Sequence, residues 1–381
     1  MVESLKMKSL NIAIIDPVGR KAGLDYYDLS LAISLKNQYC RVKVYSNFAD
    51  NKNESFVKNH FHFTFKKSFF NSFYLFKEYL IALIKSRADK TEIVILHLFH
   101  SSFIDYLLIT LTYFFGFRIC LIIHDIESLL EQSGKSWIQN CCHKSSYIVV
   151  HNSLSYDELL KKISSTEKEK VCIIPHGNFI GLNEITNTIE TAKYFNLDSN
   201  KIYLLFFGMI KKSKGLEVLI ESLKDIPSNV HLIIAGRTRN ISFNHYENTI
   251  NELNLSSRVH PVIRYITNDE RNMLFNFSDL VVLPHRKIYQ SGVLLKAMSY
   301  GLPVIASDLP ANKLIINENN GVLFNTGNAS DLAQKINELI MDEEKRKSMA
   351  ENAKEFVKIN NDWENIASDF LNMFSKTPGV N

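Results

Sequence analysis

Residues 284–307, PHRKIYQSGVLLKAMSYGLPVIAS, constrain the fold more than any other stretch of the chain. An apolar run ends at Leu283-Pro284, a turn follows at Gln290-Ser291-Gly292, and a helical pattern then runs to a break at Tyr300-Gly301. Residues 303–306 read as the next buried strand. Strand, turn, helix and strand in this order make one parallel α/β unit. The turn is also where such a sheet binds anions, because the first helical amides lack intrahelical partners and the helix dipole is positive there. Gly292 permits close approach of a ligand, and Ser291 can cap the helix or bond a phosphate oxygen. An ordinary capped crossover helix accounts for this stretch, taken alone, equally well.

The same alternation recurs along the chain. Strand-like runs fall at residues 10–15, 41–46, 92–98, 118–123, 147–150 and 171–174, and again at 202–208, 230–235, 258–263, 279–284, 303–306 and 321–324, with helical segments between most of them. A length of 381 residues suffices for two domains, each with its own core. The polar stretch 178–200 reads as the linker, and further helices open at Ser330-Asp331 and Asp362-Trp363.

Apolar content of 46% with 22% charged residues belongs to a globular protein. Charge is uneven: residues 1–180 hold 22 Lys and Arg against 17 Asp and Glu, whereas the remainder holds 22 against 23. A basic first half suits an anionic surface, although a solvated face explains so small an excess nearly as well. No continuous basic stripe marks a nucleic-acid binder. Five cysteines, Cys40, Cys120, Cys141, Cys142 and Cys172, without a C-x-x-C pair, point to a reducing compartment rather than to disulfides or zinc. The short apolar run after Lys8 leads straight to Asp16 and does not read as a signal peptide. Residues 103–123 imitate a membrane span, but Asp105, Gly116 and Arg118 divide them into a buried helix and a buried strand. Residues 57–87 interleave Phe, Tyr and Leu with Lys66, Lys67, Lys77, Lys85 and Arg87, which fits either a membrane-interface helix or a core helix with outward lysines.

Candidate chemistry collects where strands end. His97 and His100, His124-Asp125, His151 and His176 follow four successive strands, on the side where an open parallel sheet has its ligand crevice. Gly19 and Gly23 follow the first strand but lack the dinucleotide spacing. In the second half, Gly208 opens the loop GMIKKSKG, whose Lys211, Lys212 and Lys214 face the same crevice as Gln290, Ser291, Gly292 and Val293. Lysines with backbone donors suit a diphosphate, which gains charge as it leaves a sugar.

These residues resemble the family 4 glycosyltransferases of the GT-B fold. FFGMIKKSKGLEVLIESL resembles the family's strand, loop and helix, and SDLVVLPHRKIYQSGVLLKAMSYGLPVIASD its donor-binding block in the subgroup with Pro-x-Arg before Gln-Ser-Gly-Val. IIPHGN, VVHNSLSYDEL and GVLFNTGNASDLAQKI agree in order and spacing. The resemblance implies an α/β fold of two Rossmann-like doubly wound domains facing across a cleft. The first would span residues 1–185 on the acceptor side and the second, 186–361, would bind the nucleotide sugar, with 362–381 forming a helix that crosses back.

It implies donor-binding roles for Gly208, Lys211, Lys212, Lys214, Arg286, Gln290, Ser291, Gly292, Val293 and Lys296, catalytic roles for His100, His124 and Asp125, and acceptor-side roles for Gly19 and Gly23. The implied activity is metal-independent, retaining transfer of a sugar from a UDP- or GDP-linked donor to a lipid-linked glycan. Surface polysaccharide assembly would be its setting, in the cytoplasm, against an anionic membrane surface met through residues 57–87. No cofactor and no nucleic acid are implied. Three positions depart from the family pattern: Met209 stands where many members have Arg, and Ile288 and Lys296 where many have Glu. An epimerase of the same fold and an inactive partner of another transferase are the alternatives these departures leave open.

Overall fold

The computed structural model describes residues 9–19, 23–48, 55–62, 69–130 and 137–376. It contains two units, Met1–Gly177 with Asp362–Asn381, and Asn178–Asn361. The chain thus changes unit at Gly177, ahead of the boundary at 185 that the resemblance implied.

The first unit carries β1 (Asn11–Ile15), β2 (Arg41–Ser46), β3 (Val57–Asn59), β4 (Ile93–Leu98), β5 (Arg118–Ile123), β6 (Tyr147–Val150) and β7 (Val171–Ile173). They form one sheet in the order β3-β2-β1-β4-β5-β6-β7, and every neighbouring pair is parallel. Runs such as RICLII and NIAII are buried almost throughout, as strands covered on both faces must be. The order reverses between β1 and β4, so the strand ends flanking that step are where a crevice opens.

Two readings change here. The aromatic, basic stretch 57–87 is not helical from its start, because residues 57–59 pair with β2 as the edge strand β3 before the helix Phe69–Ala88 begins. Lys66 and Lys67 lie outside the described residues. The helix Phe103–Phe114, closed by a Ser102–Asp105 capping box, buries Leu108, Ile109 and Thr112. It is therefore only half buried, and it exposes Phe103, Ile104, Tyr113 and Phe114. Among the described residues no helix is long and apolar enough to cross a membrane.

The last helix, Trp363–Ser375, is capped by Asp362 and packs on the helix Asp25–Asn37. Its Ile366, Phe370 and Phe374 join Leu31 and Leu35 in the first unit's core. Gly177 lies against the Trp363 indole, where a Cβ would overlap the ring.

The second unit holds β8 (Ile202–Phe207), β9 (Val230–Ala235), β10 (Val259–Val262), β11 (Leu280–Leu283), β12 (Val304–Ser307) and β13 (Val322–Phe324). Their order is β10-β9-β8-β11-β12-β13, again all parallel. The polar stretch 178–200 is more than a linker. It contains the helix Thr188–Phe195, capped by Asn187 and ended by Asn196 in the left-handed region, which packs on the helix Asn268–Phe277.

Candidate functional site

In the second unit β8 and β11 are neighbours, with Leu280 opposite Leu204, so the loops that follow them meet. After β8, residues 212–214 make one tight turn and Gly215 enters the helix Leu216–Ser222 at φ +64°. Only glycine fits there, because a Cβ would overlap the carbonyl oxygen of Pro284 at the end of β11. The Arg286 amide donates to the Ser213 carbonyl at 2.9 Å, and Arg286 Nε pairs with Glu217 at 2.5 Å. Gly208 stands against Val293. The lysine loop and the turn before the helix Gly292–Ser299 are thereby fastened together at the carboxyl ends of one sheet.

Ser291 caps that helix, its Oγ accepting the Leu294 amide at 3.2 Å, while a Cβ placed at Gly292 would meet nothing within 4 Å. Space for a ligand therefore lies at the helix start. His285 is 2% exposed between the two loops. Burial, and then the charges of Lys214 and Lys211, push its imidazole well below the ordinary range, so it is neutral. A phosphate about 4 Å from one such lysine gains about 4 kcal/mol at the effective dielectric of a protein surface.

Gln290 and Val293 flank the cap, half exposed. Lys212 is exposed, as is the Arg286 side chain on its Glu217 partner. Lys296 turns toward the end of β8, its Nζ 4.7 Å from the Phe179 ring and 5.9 Å from Phe207. Met209 is 40% exposed, and Arg239 Nη1 lies 3.9 Å from its sulfur. A guanidinium from the loop after β9 thus stands beside the position where the sequence lacks one.

In the first unit the histidines after β4 to β7 do converge. His97 Nδ1 lies 2.7 Å from His124 Nε2, His124 Nδ1 lies 3.2 Å from His151 Nε2, and His151 Nδ1 lies 2.9 Å from the Ile174 carbonyl. Tyr27 sets its ring edge-on or tilted to His97, His124, His151 and His176, with centroids 5.0–5.9 Å apart. Burial lowers the His97, His124 and His151 pKa values, that of His151 to about 3.

The sequence reading missed two members of this cluster, Asp16 and Asp28. Asp28 is fully buried with Oδ1 2.9 Å from His97 Nε2, and an Asp16 carboxylate oxygen lies within 4.8 Å of both. Among the described residues Asp16, Asp28 and His97 are the one group whose donor atoms, all within 4.8 Å of one another, would offer a metal three ligands. Asp28 stands in the first turn of the helix Asp25–Asn37, a place where acids are ordinarily solvated, and only tertiary packing reveals its role.

Of the residues expected to be catalytic, His124 has both ring nitrogens engaged in this cluster. Asp125 spends its carboxylate on the Ser128 amide and hydroxyl, at 2.9 and 2.6 Å, capping the helix Ile126–Leu130. His100 is the exposed one of the three. Gly19 and Gly23 both have positive φ at the two ends of the loop after β1, Gly19 against Ser46, whereas among the described residues nothing lies within 4 Å of a Cβ placed at Gly23.

Residues 188–356, inside the second unit, match the family model described as glycosyl transferases group 1. An uncharacterized glycosyltransferase of Methanocaldococcus jannaschii, MJ1178, is 29% identical over 224 residues, 57% of this chain and 62% of the relative. The capsular polysaccharide biosynthesis glycosyltransferase CapM of Staphylococcus aureus is 25% identical over 247 residues, 61% of this chain and 63% of the relative. The chain thus spans less than two thirds of the length of either relative. Among solved structures, Anabaena HepE in complex with UDP-glucose superposes with a TM-score of 0.72 at 18% identity, covering 96% of this chain and 99% of the other. The fold is that of the GT-B glycosyltransferases, with two Rossmann-like units, and the second unit is similar to the glycosyl transferases of group 1.

Proposed function

We propose that the protein is a retaining glycosyltransferase that moves a hexosyl group from a nucleotide-diphosphate sugar to a lipid-linked glycan during surface polysaccharide assembly. The observation that carries this reading is the fastening of the lysine loop to the 284–292 turn, which brings Lys211, Lys214 and the start of a capped helix to one place. Cations and helical amides fixed in that way stabilise the charge that a nucleoside diphosphate gains as its bond to the sugar breaks. HepE holds UDP-glucose in its crystal structure, and CapM is named for capsular polysaccharide, which supports a nucleotide-sugar donor and a glycan product.

Within this reading Gly208, Lys211, Lys212, Lys214, Gln290, Ser291, Gly292 and Val293 bind the diphosphate, and Arg239 supplies the guanidinium that Met209 does not. Arg286 and Lys296 set the loop and the end of β8. His100 is the exposed histidine that acts at the transferred sugar, Asp125 and His124 hold the strand end beside it, and Gly19 and Gly23 shape the acceptor loop. The reaction needs no metal, the protein acts in the cytoplasm, and the exposed aromatic face of the helix Phe69–Ala88 rests on an anionic membrane.

A thermal-shift panel of UDP, GDP and their sugars tests the donor. One nucleotide should raise the melting temperature, and Lys214→Ala should weaken its binding about tenfold or more, as expected for losing one charge-assisted phosphate contact. No shift with any nucleotide would overturn the proposal.

A further inference from the structure

The histidine line of the first unit has a direction, and the direction settles a protonation state. The Ile174 carbonyl can only accept, so His151 carries its proton on Nδ1 and leaves Nε2 bare. A bare Nε2 must accept from His124 Nδ1, and His124 Nε2 must then accept from His97 Nδ1. His97 Nε2 is left with a lone pair 2.9 Å from Asp28 Oδ1. Were both acids ionised, Asp16 Oδ2, both Asp28 oxygens and His97 Nε2 would all be buried acceptors without a donor. Leaving such a group buried and unpaired is costly, and more so where it is charged.

We propose that Asp28 is held as a neutral carboxylic acid that donates to His97 and acts as a positioning residue, the head of a one-way hydrogen-bond chain Asp28–His97–His124–His151–Ile174. Among the described residues the groups facing it are Asp16 from the end of β1, Asp25 and Tyr27 from its own helix and His97 from β4, with Cys120, His124, His151 and His176 beyond, around Tyr27. None of these is a permanent cation that would hold Asp28 ionised. Burial, the chief cause, raises the Asp28 pKa, in agreement with the geometry.

The chain ties together the carboxyl ends of β4, β5 and β6. Phe99 stacks on His124 with centroids 5.2 Å apart, and His100 follows Phe99 directly. Asp28 therefore fixes the floor beneath His100 without touching a substrate. That last step rests on the transferase reading; the protonation state does not.

The test uses the full chain with 15N-labelled histidine, together with Asp28→Asn and Asp28→Leu. The asparagine amide can donate to His97 as the acid does, whereas leucine cannot. At pH 7 the wild type should show His97, His124 and His151 as neutral rings protonated at Nδ1, and Asp28→Asn should keep that pattern. Asp28→Leu should lose it at His97, and transfer should fall about tenfold in kcat with KM for the donor little changed, as loss of one oriented hydrogen bond predicts. Asp28→Asn should restore most of the rate.

An imidazolium signal from His97 in the wild type, or Asp28→Asn scrambling the tautomers as Asp28→Leu does, would overturn the proposal. So would a stoichiometric metal ion in the purified wild type that Asp28→Asn releases. Should Asp28→Leu fail to fold, the wild-type and Asp28→Asn spectra still decide. If the spectra agree and no donor is ever turned over, Asp28 stands as assigned and the transferase reading alone fails.

Discussion

His151 and Asp16 sit in one buried cluster and pull its pH dependence in opposite directions. The folded pKa of His151 is lowered from 6.5 to about 3, mainly by burial, so on acidification the unfolded chain takes up a proton that the folded one refuses. That contribution, roughly 5 kcal/mol at most, is present above 6.5 and is lost as pH falls toward 3. Asp16 is raised from 3.8 to about 7, again by burial first and then by Asp28, so its contribution is present below 3.8 and is lost as pH rises through 7. His97 and His124 are lowered as well, and these three imidazoles outnumber the two raised acids, Asp16 and Asp28, so stability should fall between pH 6.5 and 4. Asp16→Asn removes one opposing acid, and its urea-unfolding free energy should drop more steeply over that interval than the wild type's. An unchanged slope would show that Asp16 is ionised in the fold.

At the scale of elements, legibility followed the source of each element's stability. β4, β5 and β6 were readable from β-branched apolar runs, since strands buried on both faces need little else. β3 was not, because three residues at a sheet edge carry no period, and their neighbours are aromatic and basic. The lysine loop and the 284–292 turn were each visible as strand-to-helix turns, and their attachment through Arg286 and Gly215 follows from the adjacency of β8 and β11. Asp28 was invisible because an acid in the first turn of a helix is ordinarily solvated.

Gly215→Ala should show how closely the loop and the turn depend on each other. A side chain at φ +64° against the Pro284 carbonyl should cost roughly 2–3 kcal/mol and displace Lys214, so nucleotide affinity should fall with stability, as read by thermal shift with and without nucleotide. The helices Phe69–Ala88 and Phe103–Phe114 expose Phe73, Tyr74, Ile84 and Phe114, with Lys144 4.9 Å from the Tyr113 ring. Apolar rings next to cations are what an anionic bilayer surface retains. Phe73→Ser with Ile84→Ser should weaken binding to anionic vesicles at low salt, read by co-sedimentation, by about thirtyfold or more, each deletion removing roughly 1–2 kcal/mol of interfacial burial. Unchanged sedimentation would dismiss this face.

At the scale of the whole molecule, the first unit is assembled from two distant pieces of chain, Met1–Gly177 and Asp362–Asn381. The second piece is structural in the strict sense. Trp363, Ile366, Phe370 and Phe374 are all under 8% exposed, and Tyr27, at the centre of the histidine cluster, has the Trp363 ring 5.0 Å away. Asn37 and Gln38 hold Glu364 from the helix Asp25–Asn37 side, at 2.8 and 2.7 Å. The C-terminal helix therefore packs against the element that carries Asp28, and a cavity in its seam should reach the histidine line. Phe370→Ala, at a fully buried position, should cost 3–5 kcal/mol by the usual sum of lost burial and residual cavity. Hydrogen exchange should locate that loss: amides of β1, β4 and β5 should exchange faster, while those of β8, β11 and β12 keep wild-type protection. Equal acceleration in both sheets would mean that the two units unfold as one, and the C-terminal helix would then be a fastening for the entire chain.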